Sequence, residues 1–179
     1  AAKNAGLDVY VSSECNEILD IALKYTAIPF HRDPKFATDV SKSEDALIEF
    51  SKSLENNCNV VFIQPTSPFI NSSYIRKGLD MMNKYDSVLS AYKEHWFPRW
   101  TLDAVPIGWD INNRPRRQDK KEVYVENGAF YITRRDSLLD SKLRYSGNIG
   151  ALQLPLERSF GIDTYEDLEL VNKIIKGGM

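Results

Sequence analysis

Cysteine and histidine are scarce in this chain, with two of each among 179 residues. Cys15 and Cys58 stand in unrelated contexts, which excludes a disulfide framework and a metal-ligand spacing and makes inert thiols the simplest reading. His31 follows a candidate strand, but a lone histidine without partners earns no role as a general base. An excess of positive charge is missing too. With 23 Lys and Arg against 25 Asp and Glu, the net charge of −2 gives no global field for nucleic acid, so any anion must be met locally. No apolar run approaches the roughly 18 residues needed to cross a bilayer, and no signal-peptide pattern opens the chain. The first residue is Ala1 rather than methionine, which allows for an upstream segment. These absences point to the cytoplasm, with the nucleus as the alternative because Arg114-Pro115-Arg116-Arg117 has the composition of an import signal.

What is present has the size of one domain with a sizeable core. Val9 to Val11 reads as a strand. The helical segment after it carries Ile18, Ala22 and Tyr25 on one face. A second helix opens on the capping-box pattern Ser41-x-x-Glu44 and sets Ala46, Leu47, Phe50 and Leu54 along one stripe. Asn59 to Pro65 is apolar without alternation through Val60, Val61, Phe62 and Ile63, as expected of a parallel strand covered on both faces. A helix over 74–85 and a strand over 86–92 follow. After 121 come a strand around Ala129 to Ile132, a short helix near Ser137 to Leu139, strands at Leu152 to Leu154 and Ser159 to Ile162, and a last helix capped by Thr164 with Asp167 three residues on. This alternation predicts a doubly wound, Rossmann-like α/β domain with a mostly parallel sheet. Residues 95–121 break the pattern. They hold all three tryptophans without periodicity and read as a protruding arm or lid.

In open α/β sheets ligands bind beyond the carboxyl ends of the strands, which directs attention to four stretches. Gln64, Thr66 and Ser67 follow the most apolar strand, held in a turn stiffened by two prolines; a rigid connection with no ligand is the plain alternative. Arg114, Arg116 and Arg117 offer guanidinium forks suited to phosphate or carboxylate, or else form a solvated charge run. Asp163, before the last helix, could hold Mg²⁺ with substrate phosphates or could serve as a cap. Glu126, Asn127 and Gly128 stand before the apolar run of the 129–132 strand, either as turn chemistry or because that strand end faces a ligand.

Taken in order, "HRDPKFATDVSKSEDAL", "VVFIQPTSPFI", "RPRRQD", "YVENGAFYITRR" and "FGIDTYEDLELV" resemble the CMP-sialic acid synthetases, the acylneuraminate cytidylyltransferases, over essentially the whole chain. The resemblance implies one cytidylyltransferase domain over 1–179 that transfers CMP from CTP to the anomeric hydroxyl of a nine-carbon 2-keto sugar acid. Pyrophosphate leaves, with Mg²⁺ as cofactor. The sugar acid is N-acetylneuraminate or a deaminated, legionaminic or pseudaminic relative. By position, Arg32 and Ser43 serve the nucleotide. Gln64, Thr66, Ser67, Arg117, Gln118, Asn127, Gly128 and Tyr131 serve the sugar, with Asn127 and Gly128 as its floor. Arg117 and Asp163 are the catalytic pair, Asp163 as the metal carboxylate. The resemblance also makes 95–121 a dimerisation arm exchanged with a second copy, so that Arg117 completes the partner's site.

Two departures stand against that pattern. The family opens with a strand and a glycine- and lysine-rich loop around the CTP phosphates, a unit of about 30 residues that this chain lacks, so the chain is expected to be N-terminally incomplete and inactive as it stands. Family members also carry Asp-x-Asp before the last helix, where this chain has Gly161-Ile162-Asp163. Both departures suit the alternative of a non-catalytic, dimerising sugar-acid-binding module. Membrane and nucleic-acid partners are not expected.

Overall fold

The computed structural model describes residues 1–177. Its central feature is a four-stranded sheet in the order β3-β7-β4-β8, built from β3 (Asn59–Ile63), β4 (Ser87–Glu94), β7 (Val123–Arg134) and β8 (Ile149–Leu154). β4 runs parallel to β8, and β7 runs antiparallel to both β3 and β4. Thus β3, β4 and β8 share one direction, and the single reversed strand is the one that carries Asn127 and Gly128. A separate parallel pair is formed by β1 (Tyr10–Ser13) and β2 (Ile28–His31), connected by α1 (Asn16–Lys24). The expected α/β architecture is present, with one difference. β3, read as a parallel strand, has an antiparallel partner as its hydrogen-bonded neighbour among the described residues.

Helices cover both faces of the central sheet, which explains the unbroken apolar run of β3. On one face α3 (Ser72–Met81) lies over Val61, Ile63, Val88, Phe130, Ile132 and Leu154. The approach is close: a Cβ on Gly78 would sit 2.8 Å from Ile132 Cδ1 and 2.9 Å from Phe130 Cε2. On the other face α2 (Ser43–Ser51) and α4 (Arg135–Ser141) bury Leu47 and Leu138 against Val60 and Phe62. The β1–β2 pair joins this body through α2, where the Tyr10 and Phe30 rings pack on Phe50 at 4.9 and 5.1 Å. No helix among the described residues is long and apolar enough to cross a membrane.

Several sequence expectations need correction. α1 buries Leu19 and Ala22, while Ile18 and Tyr25 are exposed, so the buried stripe lies one residue away from the face read from periodicity. The capping box of α2 is also shifted. The Asp45 carboxylate accepts from the Lys42 backbone N–H at 3.1 Å, and Ser41 Oγ instead accepts from Thr38 N–H at 3.0 Å. Residues 159–162 form no strand. A 3-10 turn at Leu156–Arg158 leads into chain without regular pairing, and Ile162 N–H donates to the Thr66 carbonyl at 2.9 Å. The cap of α5 (Tyr165–Lys176) is as read, with Thr164 and Asp167 capping reciprocally. Residues 95–121 are not featureless: β5 (Arg99–Trp100) and β6 (Pro106–Ile107) form a small hairpin on which Trp100 and Trp109 meet edge to face at 4.7 Å.

Candidate active site

The site begins with an irregularity between β4 and β7. Leu89 pairs with Tyr131 and Ala91 with Glu126, so one residue on β4, Ser90, faces four on β7, Asn127 to Phe130. A bulge of this kind leaves backbone groups without their ladder partners, and side chains take over. Ser90 is fully buried. Its hydroxyl donates to Asn127 Oδ1 at 2.6 Å and accepts from Phe130 N–H at 2.9 Å. Asn127 Oδ1 also accepts from Ala129 N–H at 3.2 Å, and Asn127 Nδ2 donates to Ser159 Oγ at 2.9 Å. The Asn127 side chain is therefore the pin that ties β4, β7 and the 155–163 segment together. Gly128, next in the chain, has a φ of 69°, a conformation glycine adopts without strain.

The space a side chain would need at Gly128 is occupied by the Gln64 amide. Gln64 follows β3, its N–H reaching the Ala129 carbonyl at 3.4 Å and its carbonyl accepting from Ser67 N–H at 3.1 Å. That turn buries Ser67 and leaves Thr66 exposed, with the Thr66 carbonyl tied to Ile162. The carboxyl end of β3, the bulge inside β7 and the chain before α5 thus converge, and they bring Gln64, Thr66, Asn127, Gly128 and Asp163 together; the strand that the sequence placed after Gly128 in fact begins at Val123. A Cβ on Gly161 would lie 3.9 Å from the Thr66 carbonyl oxygen and 3.8 Å from Asp163 Oδ2, clear of any clash.

A second group of side chains backs this floor. Tyr131 is 3 % exposed and stacks on Phe62, ring centroids 6.0 Å apart. The Arg144 guanidinium lies over both rings, 4.8 Å from Tyr131 and 5.5 Å from Phe62, while its Nε donates to the Glu44 carboxylate at 2.6 Å. That charge-assisted bond holds Glu44 below the ordinary carboxylate range. The Tyr131 hydroxyl donates to Glu126. Burial, aided by that carboxylate, pushes Tyr131 up to about 12. Glu44, Ser90, Arg144 and Ser159 carry no site signal in the sequence, because each reaches the site through a long-range contact with no local pattern; Glu126 stands out there only as part of the polar opening of a strand, not as the partner of Tyr131.

The remaining candidates lie apart. Arg32, after β2, donates to the Ser12 carbonyl at 2.6 Å and faces Glu14 at 3.9 Å. Ser43 is the exposed first residue of α2. Arg117 and Gln118 occupy an exposed 3-10 turn on the way from the arm to β7, where Arg116 is paired bidentately with Asp119 at 2.8 Å and Arg117 has no ion pair among the described residues. Asp163 is exposed, its N–H caught by Asp167, and Asp167 is committed to capping α5. Among the described residues no three His, Cys, Asp or Glu side chains are grouped as a metal cage. A single free carboxylate suits a cation that takes most of its ligands from phosphate and water, which is the usual habit of Mg²⁺.

Residues 1–174 match the family model described as "Cytidylyltransferase". N-acylneuraminate cytidylyltransferase A of Danio rerio is 31% identical over 164 residues, 87% of this chain and 38% of the relative. The chain spans about two fifths of the length of that relative. Pseudaminic acid cytidylyltransferase of Campylobacter jejuni is 25% identical over 189 residues, covering 98% of this chain and 82% of the relative. Among solved structures, CMP:2-keto-3-deoxy-manno-octonic acid synthetase complexed with CTP superposes with a TM-score of 0.69 at 16% identity, over 99% of this chain and 86% of that one. The 4-diphosphocytidyl-2C-methyl-D-erythritol synthase of Anaerococcus prevotii superposes with a TM-score of 0.66 at 15% identity, over 97% and 84%.

Proposed function

The chain belongs to the cytidylyltransferase family, and from that premise we propose that it transfers CMP from CTP to the anomeric hydroxyl of a 2-keto sugar acid, of the nine-carbon sialic or pseudaminic type. The observation that carries this reading is the Gln64 amide laid over Gly128, on a floor pinned by Ser90, Asn127 and Ser159 at the carboxyl end of β3. An amide placed at that end of the sheet offers both a hydrogen-bond donor and an acceptor, which suits a polyhydroxylated ligand.

In the transfer, the sugar's anomeric hydroxyl oxygen forms a bond to the α-phosphorus and its proton passes to solvent, the bond from the α-phosphorus to the oxygen bridging to the β-phosphate breaks, and pyrophosphate leaves with that electron pair. Little covalent work falls to the protein; position and charge decide the rate. Gln64, Thr66, Gly128 and Tyr131 shape the sugar side. Ser43 and Arg32 serve the nucleotide. Arg117, which has no ion pair among the described residues, brings positive charge to phosphate or to the sugar carboxylate, reaching the site of a second copy in a homodimer. Asp163 is the residue here that would hold Mg²⁺, which when bound with the triphosphate offsets charge building on the leaving group. A second reading, a sugar-acid-binding module without turnover, is favoured by one feature, the absence of a second carboxylate at Gly161.

The test is pyrophosphate release with CTP, Mg²⁺ and N-acetylneuraminate or pseudaminic acid, run on the natural protein, with ATP, GTP and UTP as controls. CTP-specific turnover with a keto sugar acid establishes transfer. Binding of the sugar acid without turnover establishes the module.

A further inference from the structure

The bulge between β4 and β7 also reverses which face of the sheet Glu126 occupies. In a regular strand, residues five apart point to opposite faces, so Glu126 would share the α3 side with Phe130 and Ile132. The three extra residues on β7 reverse that parity. Glu126 pairs with Ala91 and Tyr131 pairs with Leu89, and because Leu89 and Ala91 are two apart on β4, Glu126 and Tyr131 share a face. The contact agrees with the register, since the Tyr131 hydroxyl donates to Glu126 Oε1. Gln64 belongs to the same face, two residues beyond Phe62 on β3, and its amide covers Gly128 two residues from Glu126.

Resting on the proposed transfer to a sugar acid, we propose that Glu126 is a further substrate-contacting residue, which accepts hydrogen bonds from the hydroxyl or amide N–H groups on the neutral part of the sugar acid. Three observations carry this. The carboxylate is exposed, yet one of its oxygens is fixed by a phenol that is itself immobilised beneath Arg144 and against Phe62. Its other oxygen, Oε2, accepts from no group among the described residues. The phenol keeps its proton across the neutral range, so the hydrogen bond runs in one direction and Glu126 is left as an acceptor only. An acceptor-only anion repels the sugar carboxylate and the CTP phosphates, so it faces the end of the ligand that lacks them. Sugar acids of one core that differ in their hydroxyl and acylamino groups would be told apart at this position, since a site built to bond a polar group rejects the analogue lacking it. Tyr131 is the positioning residue, acting through Glu126.

The experiment compares Glu126→Ala, Glu126→Gln and Tyr131→Phe with the natural protein, reading separate KM values for CTP and for N-acetylneuraminate together with the melting temperature. Losing a charge-assisted bond should raise the sugar KM of Glu126→Ala about tenfold or more. The CTP KM and kcat should stay within about twofold. Glu126→Gln should lie between, and Tyr131→Phe should raise the sugar KM severalfold with the CTP KM unmoved. A sugar KM unchanged in Glu126→Ala, or a CTP KM that moves as far, overturns the assignment. If the natural protein shows no turnover, the transfer reading falls separately, and the inference is read from N-acetylneuraminate alone by saturation-transfer NMR. There, a signal lost in Glu126→Ala supports it, and a signal retained, or none in the natural protein, overturns it.

Discussion

Ser90 Oγ sits 2.6 Å from Asn127 Oδ1 and accepts the Phe130 N–H at 2.9 Å, so one buried hydroxyl holds the bulge that carries the proposed sugar floor. Replacing it with alanine leaves Phe130 N–H and one lone pair of Asn127 without partners inside the sheet. Ser90→Ala is expected to cost about 1–3 kcal/mol in urea unfolding. The loss should also appear as weaker sugar-acid binding, because Glu126, Asn127 and Gly128 depend on the same bulge. A variant as stable as the natural protein, with unchanged sugar affinity, would show that the bulge needs no hydroxyl.

Gly128→Ala tests two costs at one position. A positive φ disfavours alanine, and the new methyl enters the space of the Gln64 amide. The sum should be about 1–3 kcal/mol, with sugar binding lost as Gln64 is displaced. The two costs separate in a double-mutant cycle. In a Gln64→Ala background the steric part vanishes, so Gly128→Ala should cost less there than alone. Equal costs in both backgrounds would mean that Gln64 moves aside freely and is not held over the glycine.

These two positions mark how far the sequence could be read. The Asn127-Gly128 pair and the Gln64 turn were visible as local chemistry, and so were β3, α3, β4 and the Thr164–Asp167 cap, each set by residues a few positions apart. Glu126 was visible as a residue at the strand entry but not as a residue of the Tyr131 face, because that assignment needs the register of β4 opposite. Glu44 was read as part of a capping box with Ser41. In the fold Asp45 caps instead, and Glu44 pairs with Arg144, 100 residues away. Residues 159–162 have the composition of a strand but pair with none of the strands among the described residues, and Asn127 and Thr66 hold that segment at Ser159 and Ile162 instead.

The backing cluster should produce two separate pH limits. Glu44 has a depressed carboxyl, so its stabilisation is complete above its ordinary value of 4.5 and disappears as pH falls through the lower folded value. Glu44→Gln should therefore be less stable than the natural protein near neutrality and converge with it in acid. Tyr131 has the opposite sign. Its folded value is raised from 10.0 to about 12, so its contribution is complete below pH 10 and is lost as pH rises through 12. Tyr131→Phe should remove that alkaline loss, together with the last-titrating phenol in the absorbance change near 295 nm. Acid curves for Glu44→Gln and the natural protein that stay parallel would show that the Arg144 pair contributes no net stability.

The hairpin arm exposes Phe97, Trp100, Leu102, Val105, Ile107 and Ile111 over a short stretch, an apolar surface that a second copy of the chain would cover. Sedimentation equilibrium should find a dimer, and Leu102→Glu combined with Ile107→Glu should give monomers. If Arg117 acts across that dimer, mixing inactive Arg117→Ala with inactive Gln64→Ala should restore about a quarter of the natural activity, since random exchange makes half the dimers mixed, each with one intact site. No recovery on mixing would place Arg117 in its own subunit's site.

Gly161 is the position where this chain lacks a carboxylate that the site has room for. A Cβ there meets nothing closer than 3.8 Å, and its nearest neighbour is Asp163 Oδ2, so Gly161→Asp should be accepted by the fold. Without a cation, two neighbouring carboxylates repel each other. A divalent ion removes that repulsion, so the variant should bind Mg²⁺ more tightly, and the Mg²⁺ concentration for half-maximal turnover should fall by about tenfold. Gly161→Asn matches the shape without the charge and should leave the requirement near that of the natural protein, while Asp163→Asn should raise it. If Gly161→Asp and Gly161→Asn behave alike, the ion is held by groups other than these two positions, and Asp163 is reduced to shaping the entry to α5.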